Sequence, residues 1–154
     1  MGKHQLLDGL VTGLFFKTVD IPVNRESKMA SFRAFKKAEE KLKAGISMII
    51  FPEGAIPQVY PPQLDNFKNG PFRLAIENNI PILPVTCADA WKTLWDDGTE
   101  YGTRPGVLHF HVHQPIETKH LNPDDADALR DKVHAIIAGK LGLENSPIAA
   151  TAVV

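Results

Sequence analysis

The stretch of this 154-residue chain richest in potential chemistry is SMIIFPEGAIPQVYPP, residues 47–62, where an apolar run ends on Pro52, Glu53 and Gly54. In sheets with parallel strands, ligands settle outside the carboxyl ends of the strands, where a carboxylate can be presented without burial in the core. Glu53 stands at such an end. It could accept hydrogen bonds from substrate hydroxyls, fix a basic group that meets a phosphate, or remain a solvent-facing loop acid. Pro52 and Gly54 suit the turn around it. Arg25 follows another short extended stretch, and its planar guanidinium fork suits a bidentate, charge-assisted contact with phosphate. Lys68 and Arg73 flank Asn69-Gly70-Pro71 at a loop-to-helix junction, where a helix terminus and adjacent charges can hold an anion together. Helix solubilisation is the plainer role for Arg73.

Histidines supply the other candidates. His109, His111 and His113 alternate along VLHFHVHQPI and so share one face of a strand. The outer pair would lie roughly 13 Å apart on an extended strand, too far for three imidazoles to meet one zinc ion without a bend. A polar sheet face is therefore expected, and no metal site. His4 and Asp8, in KHQLLD, would sit one turn apart on a helix. A carboxylate so placed can orient an imidazole that deprotonates an alcohol, although fraying near a chain end works against alignment. His120 and His134 come with no patterned partner. The single cysteine, Cys87, excludes an intrachain disulfide and a multi-cysteine metal centre, and its apolar neighbours suggest a buried small side chain.

These residues need elements to carry them. QLLDGLVTGLFFK, residues 5–17, suits a short glycine-containing helix, and Pro22 places the extended segment at 18–23 on a sheet edge. In SKMASFRAFKKAEEKLKAG, Met29, Phe32, Phe35, Ala38 and Leu42 recur at helical spacing, with Ser27 as N-cap and Gly45 as stop. ISMIIF, residues 46–51, is short and uniformly apolar and reads as an inner strand. PFRLAIENN resumes helical spacing with Pro71 in its first turn. IPILPVTC, residues 80–87, reads as a second inner strand whose prolines push it toward a sheet boundary or bulge. A long loop at 88–106, holding Trp91 and Trp95, precedes the histidine-bearing strand. The last helix starts at Asn122-Pro123 and runs an apolar stripe through Ala126, Leu129, Val133, Ile136, Ile137 and Leu141. The order helix, strand, helix, strand predicts an α/β fold, a mixed, partly parallel sheet flanked by helices.

Bulk composition sets outer limits. Hydrophobic residues make up 44 % and charged residues 23 %, a globular balance that argues against disorder. A formal net charge of -1 gives no global signal for nucleic acid, while leaving room for a local phosphate pocket. No apolar run approaches the roughly 18–20 residues that span a bilayer, and LLDGLVTGLFF lacks a signal-peptide layout. One domain over residues 1–142 with a tail at 143–154 is expected. The expected setting is the cytoplasm or the cytoplasmic face of the inner membrane.

Taken in order, the motifs resemble those of the glycerolipid acyltransferases, especially the bacterial 1-acyl-glycerol-3-phosphate acyltransferases. DIPVNR resembles the family's second block, IIFPEGAIP the third and IPILPVTC the fourth. FKNGPFRLAIENN is similar to the stretch that follows the third block, and RPGVLHFHVHQPIETKHL to the later strand and proline turn. The resemblance covers roughly residues 1–142. It implies transfer of a fatty acyl group from acyl-CoA or acyl carrier protein to a glycerol-phosphate or lysophospholipid hydroxyl, with no bound cofactor. By that resemblance Arg25 would meet phosphate, Glu53 and Gly54 would help orient the glycerol part, and Lys68 would extend the basic pocket. Lys3, Pro52, Pro84, His4 and Asp8 are weaker contributors, Pro84 through the block linked to acyl-chain handling or framework packing. The family's general base lies in an upstream H-x-x-x-x-D block. HQLLD has three intervening residues rather than four, and its position suits the family's Lys-containing helix, with Lys3 near a basic position. The chain is thus expected to be a family domain lacking its N-terminal catalytic block, with a noncatalytic phosphate- or lipid-binding derivative or a truncated fragment of that family as the alternative. Ala55 stands where the third block commonly has a threonine, which removes a hydroxyl but leaves the acid.

Overall fold

The computed structural model describes residues 2–3, 13–14, 21–23, 28–55, 63–93 and 103–143. Its contacts group the chain into two compact units, residues 1–51 and 52–154. In the first, β1 (Gly2–Lys3) pairs in parallel with β2 (Pro22–Val23), Gly2 opposite Pro22 and Lys3 opposite Val23. Helix α1 (Lys28–Lys43) follows and packs against β2. Among the described residues of this unit, Ile21, Ala34 and Ala38 are buried apolar side chains. The stripe read from sequence is therefore rotated: Ala38 is in the core, but Met29 and Phe32 are exposed. Spacing alone located an apolar arc without deciding which edge of it the neighbours cover.

The end of α1 follows the sequence. Gly45 has φ +79°, its N–H donates to Leu42 C=O at 2.9 Å, and Ile46 N–H donates to Lys41 C=O at 3.0 Å. This paired closure needs a left-handed residue, which glycine adopts without a Cβ penalty. Ser27, read as the N-cap, lies outside the described residues. Of the expected helix within 5–17, only Gly13 and Leu14 are described, and both are helical.

The run 46–51 is not assigned as the expected strand, and Ile49 and Phe51 are strongly exposed. Apolar content supplies a preference for burial but does not by itself choose strand geometry.

The second unit contains α2 (Gly70–Glu77), β3 (Val85–Cys87), α3 (Ala90–Thr93), β4 (Phe110–Val112) and α4 (Ala126–Leu141). Pro71 occupies the first turn of α2, as its fixed φ favours. A single 3-10 turn, Pro123–Asp125, leads into α4, and Asn122 N–H donates to Asp125 Oδ2 at 2.7 Å. The core is built from Phe67, Phe72, Ile76, Ala126, Leu129 and Val133, with Leu64, Ile82, Ile116, Leu121 and Ile137 packed around them. Helices α2 and α4 thus bury facing stripes, and α4 also packs on β3.

Strands β3 and β4 pair antiparallel, Val85 with Val112, Thr86 with His111 and Cys87 with Phe110. An isolated bridge joins Ile82 to Ile116. The prolines confine regular pairing to the end of the 80–87 segment, where Pro84 has no N–H to donate but its C=O accepts from His113. The alternation corrects the expected inner strand: polar Thr86 is buried while Val85, Phe110 and Val112 are exposed. Thr86 Oγ1 finds His113 Nε2 at 2.9 Å, and so enters the interior with a partner. Among the described residues the parallel pair β1–β2 and the antiparallel pair β3–β4 form two separate two-stranded sheets, which with the helices agree with an α/β fold. Among the described residues, no helix is long and apolar enough to cross a membrane. Residues 144–154, most of the expected tail, lie outside the described residues, as does Trp95.

Candidate functional site

Glu53 sits in a turn that a second segment of the same unit straps in place. Lys68 N–H donates to Pro52 C=O at 2.8 Å, and Asp65 N–H donates to Glu53 Oε2 at 2.9 Å. Residues 65–68 therefore run beside 52–54, tied at both ends. Gly54 has φ +78°, a region that L side chains rarely adopt, and a Cβ there would stand 3.6 Å from Lys68 Cγ. The Lys68 side chain accordingly lies over Gly54, while its residue remains exposed. The turn collects an acid and a base whose backbones are fixed and whose side chains border one small surface.

The electrostatics follow from this packing. Glu53 is half-buried, and loss of hydration pushes its carboxyl above the ordinary value. The Asp65 N–H opposes that rise, the Asp65 carboxylate adds to it, and the nearby His134 opposes it again. Glu53 is thus held in a balance between desolvation and hydrogen bonding.

Behind the strap, the buried Phe67 ring stacks with Phe72 at 6.3 Å between centroids and meets the His134 ring edge-on at 4.8 Å. Asn69, just before α2, donates from Nδ2 to Asp127 Oδ1 at 3.0 Å. Asp65, Phe67, Asn69, Asp127 and His134 were not singled out for this site by sequence. Only His134 and Asp127 carry a retrospective signal, since a seven-residue spacing places both on one flank of α4.

The remaining sequence candidates fare differently. Pro52, Glu53, Gly54 and Lys68 come together. Pro84 is buried ahead of β3, with its carbonyl committed to the sheet. Lys3 pairs with Val23 in β1. Arg25, His4 and Asp8 lie outside the described residues. Arg73 approaches Glu77 at 3.9 Å on α2, the helix-surface role read for it.

The histidine row divides. His109 pairs with Asp89 through both its backbone N–H, at 3.0 Å to Oδ1, and its ring Nδ1, at 2.5 Å to Oδ2. His111 instead packs edge-on against His113 at 4.5 Å. Among the described residues no cluster of three or more His, Cys, Asp or Glu side chains is gathered in a form that could hold a metal ion. Cys87 is half-buried and its thiol donates to Asp89 Oδ1 at 3.7 Å.

Comparison with known proteins covers this same region. The family model described as Acyltransferase matches residues 1–88. The mouse 1-acyl-sn-glycerol-3-phosphate acyltransferase alpha is 30 % identical over 96 residues, which are 62 % of this chain and 33 % of that protein. A chloroplastic 1-acyl-sn-glycerol-3-phosphate acyltransferase from Brassica napus is 28 % identical over 123 residues, 80 % of this chain and 33 % of its own length. The chain therefore spans about a third of these curated relatives. The crystal structure of the 1-acyl-sn-glycerophosphate acyltransferase PlsC from Thermotoga maritima superposes with a TM-score of 0.73. That likeness covers 97 % of this chain and 57 % of PlsC at 21 % identity, and is a likeness of fold. A family match that runs from β1 through the Glu53 turn and the Lys68 strap to the end of β3 places this chain in the glycerolipid acyltransferase family.

Proposed function

We propose that this chain is the acceptor-holding part of a 1-acyl-glycerol-3-phosphate O-acyltransferase. The observation that carries the reading is the strapped turn, which gathers a half-buried carboxylate and an exposed ammonium around Gly54. A glycerol phosphate offers a complementary pair of groups. Its phosphate would meet Lys68 through a charge-assisted contact, and the family resemblance separately gives Arg25 a phosphate-binding role. Its hydroxyls would donate to the free lone pairs of Glu53, one oxygen of which already accepts from Asp65.

In the reaction, the acceptor hydroxyl oxygen attacks the acyl thioester carbonyl of acyl-CoA or acyl carrier protein. A C–O bond forms, the C–S bond breaks, and the proton lost by the hydroxyl ends on the departing thiol. Neither Glu53 nor Lys68 is asked to move that proton. The base is expected from the family's H-x-x-x-x-D block, which belongs before the Arg25 segment. The contribution of the described residues is orientation: fixing phosphate and glycerol leaves the reacting hydroxyl fewer directions in which to point. The setting proposed is the cytoplasmic face of a membrane, where a lysophospholipid acceptor resides.

Titration calorimetry of the chain with glycerol 3-phosphate tests the binding half. Saturable heat that is lost in Lys68→Ala and reduced in Glu53→Gln is expected; no heat with the parent chain would sink the reading. Joining an upstream H-x-x-x-x-D region and supplying acyl-CoA with lysophosphatidate tests the chemical half, for which acyl transfer is the expected result.

A further inference from the structure

The strap that carries Lys68 is gripped from behind by one flank of α4. Asp127 and His134 are seven residues apart, about two helical turns, and so project from the same side. Asp127 Oδ1 accepts from Asn69 Nδ2 at 3.0 Å, and the His134 ring meets Phe67 edge-on at 4.8 Å. Phe67 and Asn69 are the two neighbours of Lys68 in sequence. Lys68 thus lies between two held residues, with its own N–H donating to Pro52.

We propose that this flank of α4 is the positioning element of the acceptor site, with His134 as the residue that keeps Lys68 and Glu53 in register. The inference rests on the acceptor-binding reading of those two groups. Phe67 is buried, so its ring cannot shift without disturbing the core. Whatever holds that ring also holds the backbone on either side, where Asp65 reaches Glu53 and Lys68 reaches Pro52. An imidazole does this differently from an aliphatic side chain: it packs as a ring and can bring a positive charge near Glu53. That charge favours ionised Glu53, against the burial and the Asp65 carboxylate that favour the neutral acid. At the other grip, Asn69 Oδ1 is buried and finds no hydrogen-bond partner among the described residues, so the amide is held through its Nδ2 contact with Asp127.

Two substitutions separate packing from charge. His134→Phe retains a ring against Phe67, whereas His134→Ala removes ring and charge together. Carboxyl NMR titration should show the Glu53 midpoint rising in both variants. Hydrogen exchange at the Lys68 amide should accelerate several-fold in His134→Ala and stay near the parent rate in His134→Phe. Affinity for glycerol 3-phosphate should fall several-fold in His134→Ala. An unmoved Glu53 midpoint together with unchanged Lys68 exchange in His134→Ala would overturn the proposal, even if the melting temperature fell. If His134→Ala does not fold, His134→Leu, which removes the ring but keeps apolar bulk, decides through Lys68 amide exchange: acceleration upholds the positioning role and the parent rate rejects it. A parent chain that fails to bind glycerol 3-phosphate would refute the acceptor reading itself, while exchange and titration would still decide whether His134 positions the strap.

Discussion

Glu53 and Asp89 are both carboxylates that follow apolar stretches, and the second unit handles them in opposite ways. Glu53 is half-buried against a backbone strap, and desolvation raises its carboxyl above the ordinary value. Asp89 clasps His109 through ring and backbone, and those hydrogen bonds lower its carboxyl below the ordinary value. The difference is one of spare capacity. Asp89 spends its oxygens on His109 and Cys87, whereas among the described residues Glu53 accepts from one backbone donor, the Asp65 N–H. An acid that is partly desolvated and only partly satisfied is suited to a ligand; one saturated by its own fold is suited to holding a loop against a strand. The Asp–His geometry familiar from general-base chemistry therefore occurs here at a place with a structural explanation, and the acid proposed to face substrate is the other one.

The largest expected effect comes from removing the support of one acid without touching the other. Phe67→Ala should cost about 3–5 kcal/mol of stability, the usual range for emptying a buried aromatic site. Chemical denaturation would measure it, and NMR of the His109 ring should show the Asp89 clasp intact in the remaining folded protein. Next, Glu53→Gln should weaken glycerol 3-phosphate binding by roughly 10-fold, corresponding to one charge-assisted contact of about 1.4 kcal/mol. Asp89→Asn should leave that affinity unchanged. Equal losses in the two variants would erase the distinction drawn between them.

Smaller still, Gly54→Ala should destabilise by about 1 kcal/mol, because φ +78° is strained for any residue with a Cβ. The added methyl meets Lys68 at ordinary contact distance, so thermal melting should register backbone strain rather than collapse of the site.

The finest test is pH. Glu53 binds its proton more tightly in the native state, so its contribution makes stability fall as pH rises from the ordinary glutamate value through the raised one. Asp89 behaves inversely: its contribution is full above the ordinary aspartate value and is lost as pH falls through the lowered one. Melting curves of Glu53→Gln and Asp89→Asn against the parent should differ in pH slope with opposite signs.

Much of this was legible before any coordinates. Pro71 opening α2, Gly45 closing α1 and Asn122-Pro123 leading into α4 each express a preference settled within a few residues. The run at 46–51, expected as an inner strand, is not one and exposes Ile49 and Phe51: apolar content expresses a preference for burial but does not by itself choose strand geometry. The exposed Val85 and buried Thr86 reversed expectation for a related reason. Hydrophobicity cannot show that a buried hydroxyl will find His113 across the ladder, 27 residues away in sequence.

Sequence by itself determined the family, the order of its blocks, the main helices and the turn that displays Glu53. These follow from local backbone preferences and from the residue types that phosphate and hydroxyl recognition require. Tertiary structure alone decided that Asp65, twelve residues on, would ligate Glu53, that Asp127 would hold Asn69 from 58 residues away, and that His134 would back the strap. The physical reason is that charge, hydration and hydrogen-bond capacity belong to neighbourhoods in space. Packing α4 against Phe67 created that neighbourhood, and with it the difference between a carboxylate kept available and one already spent.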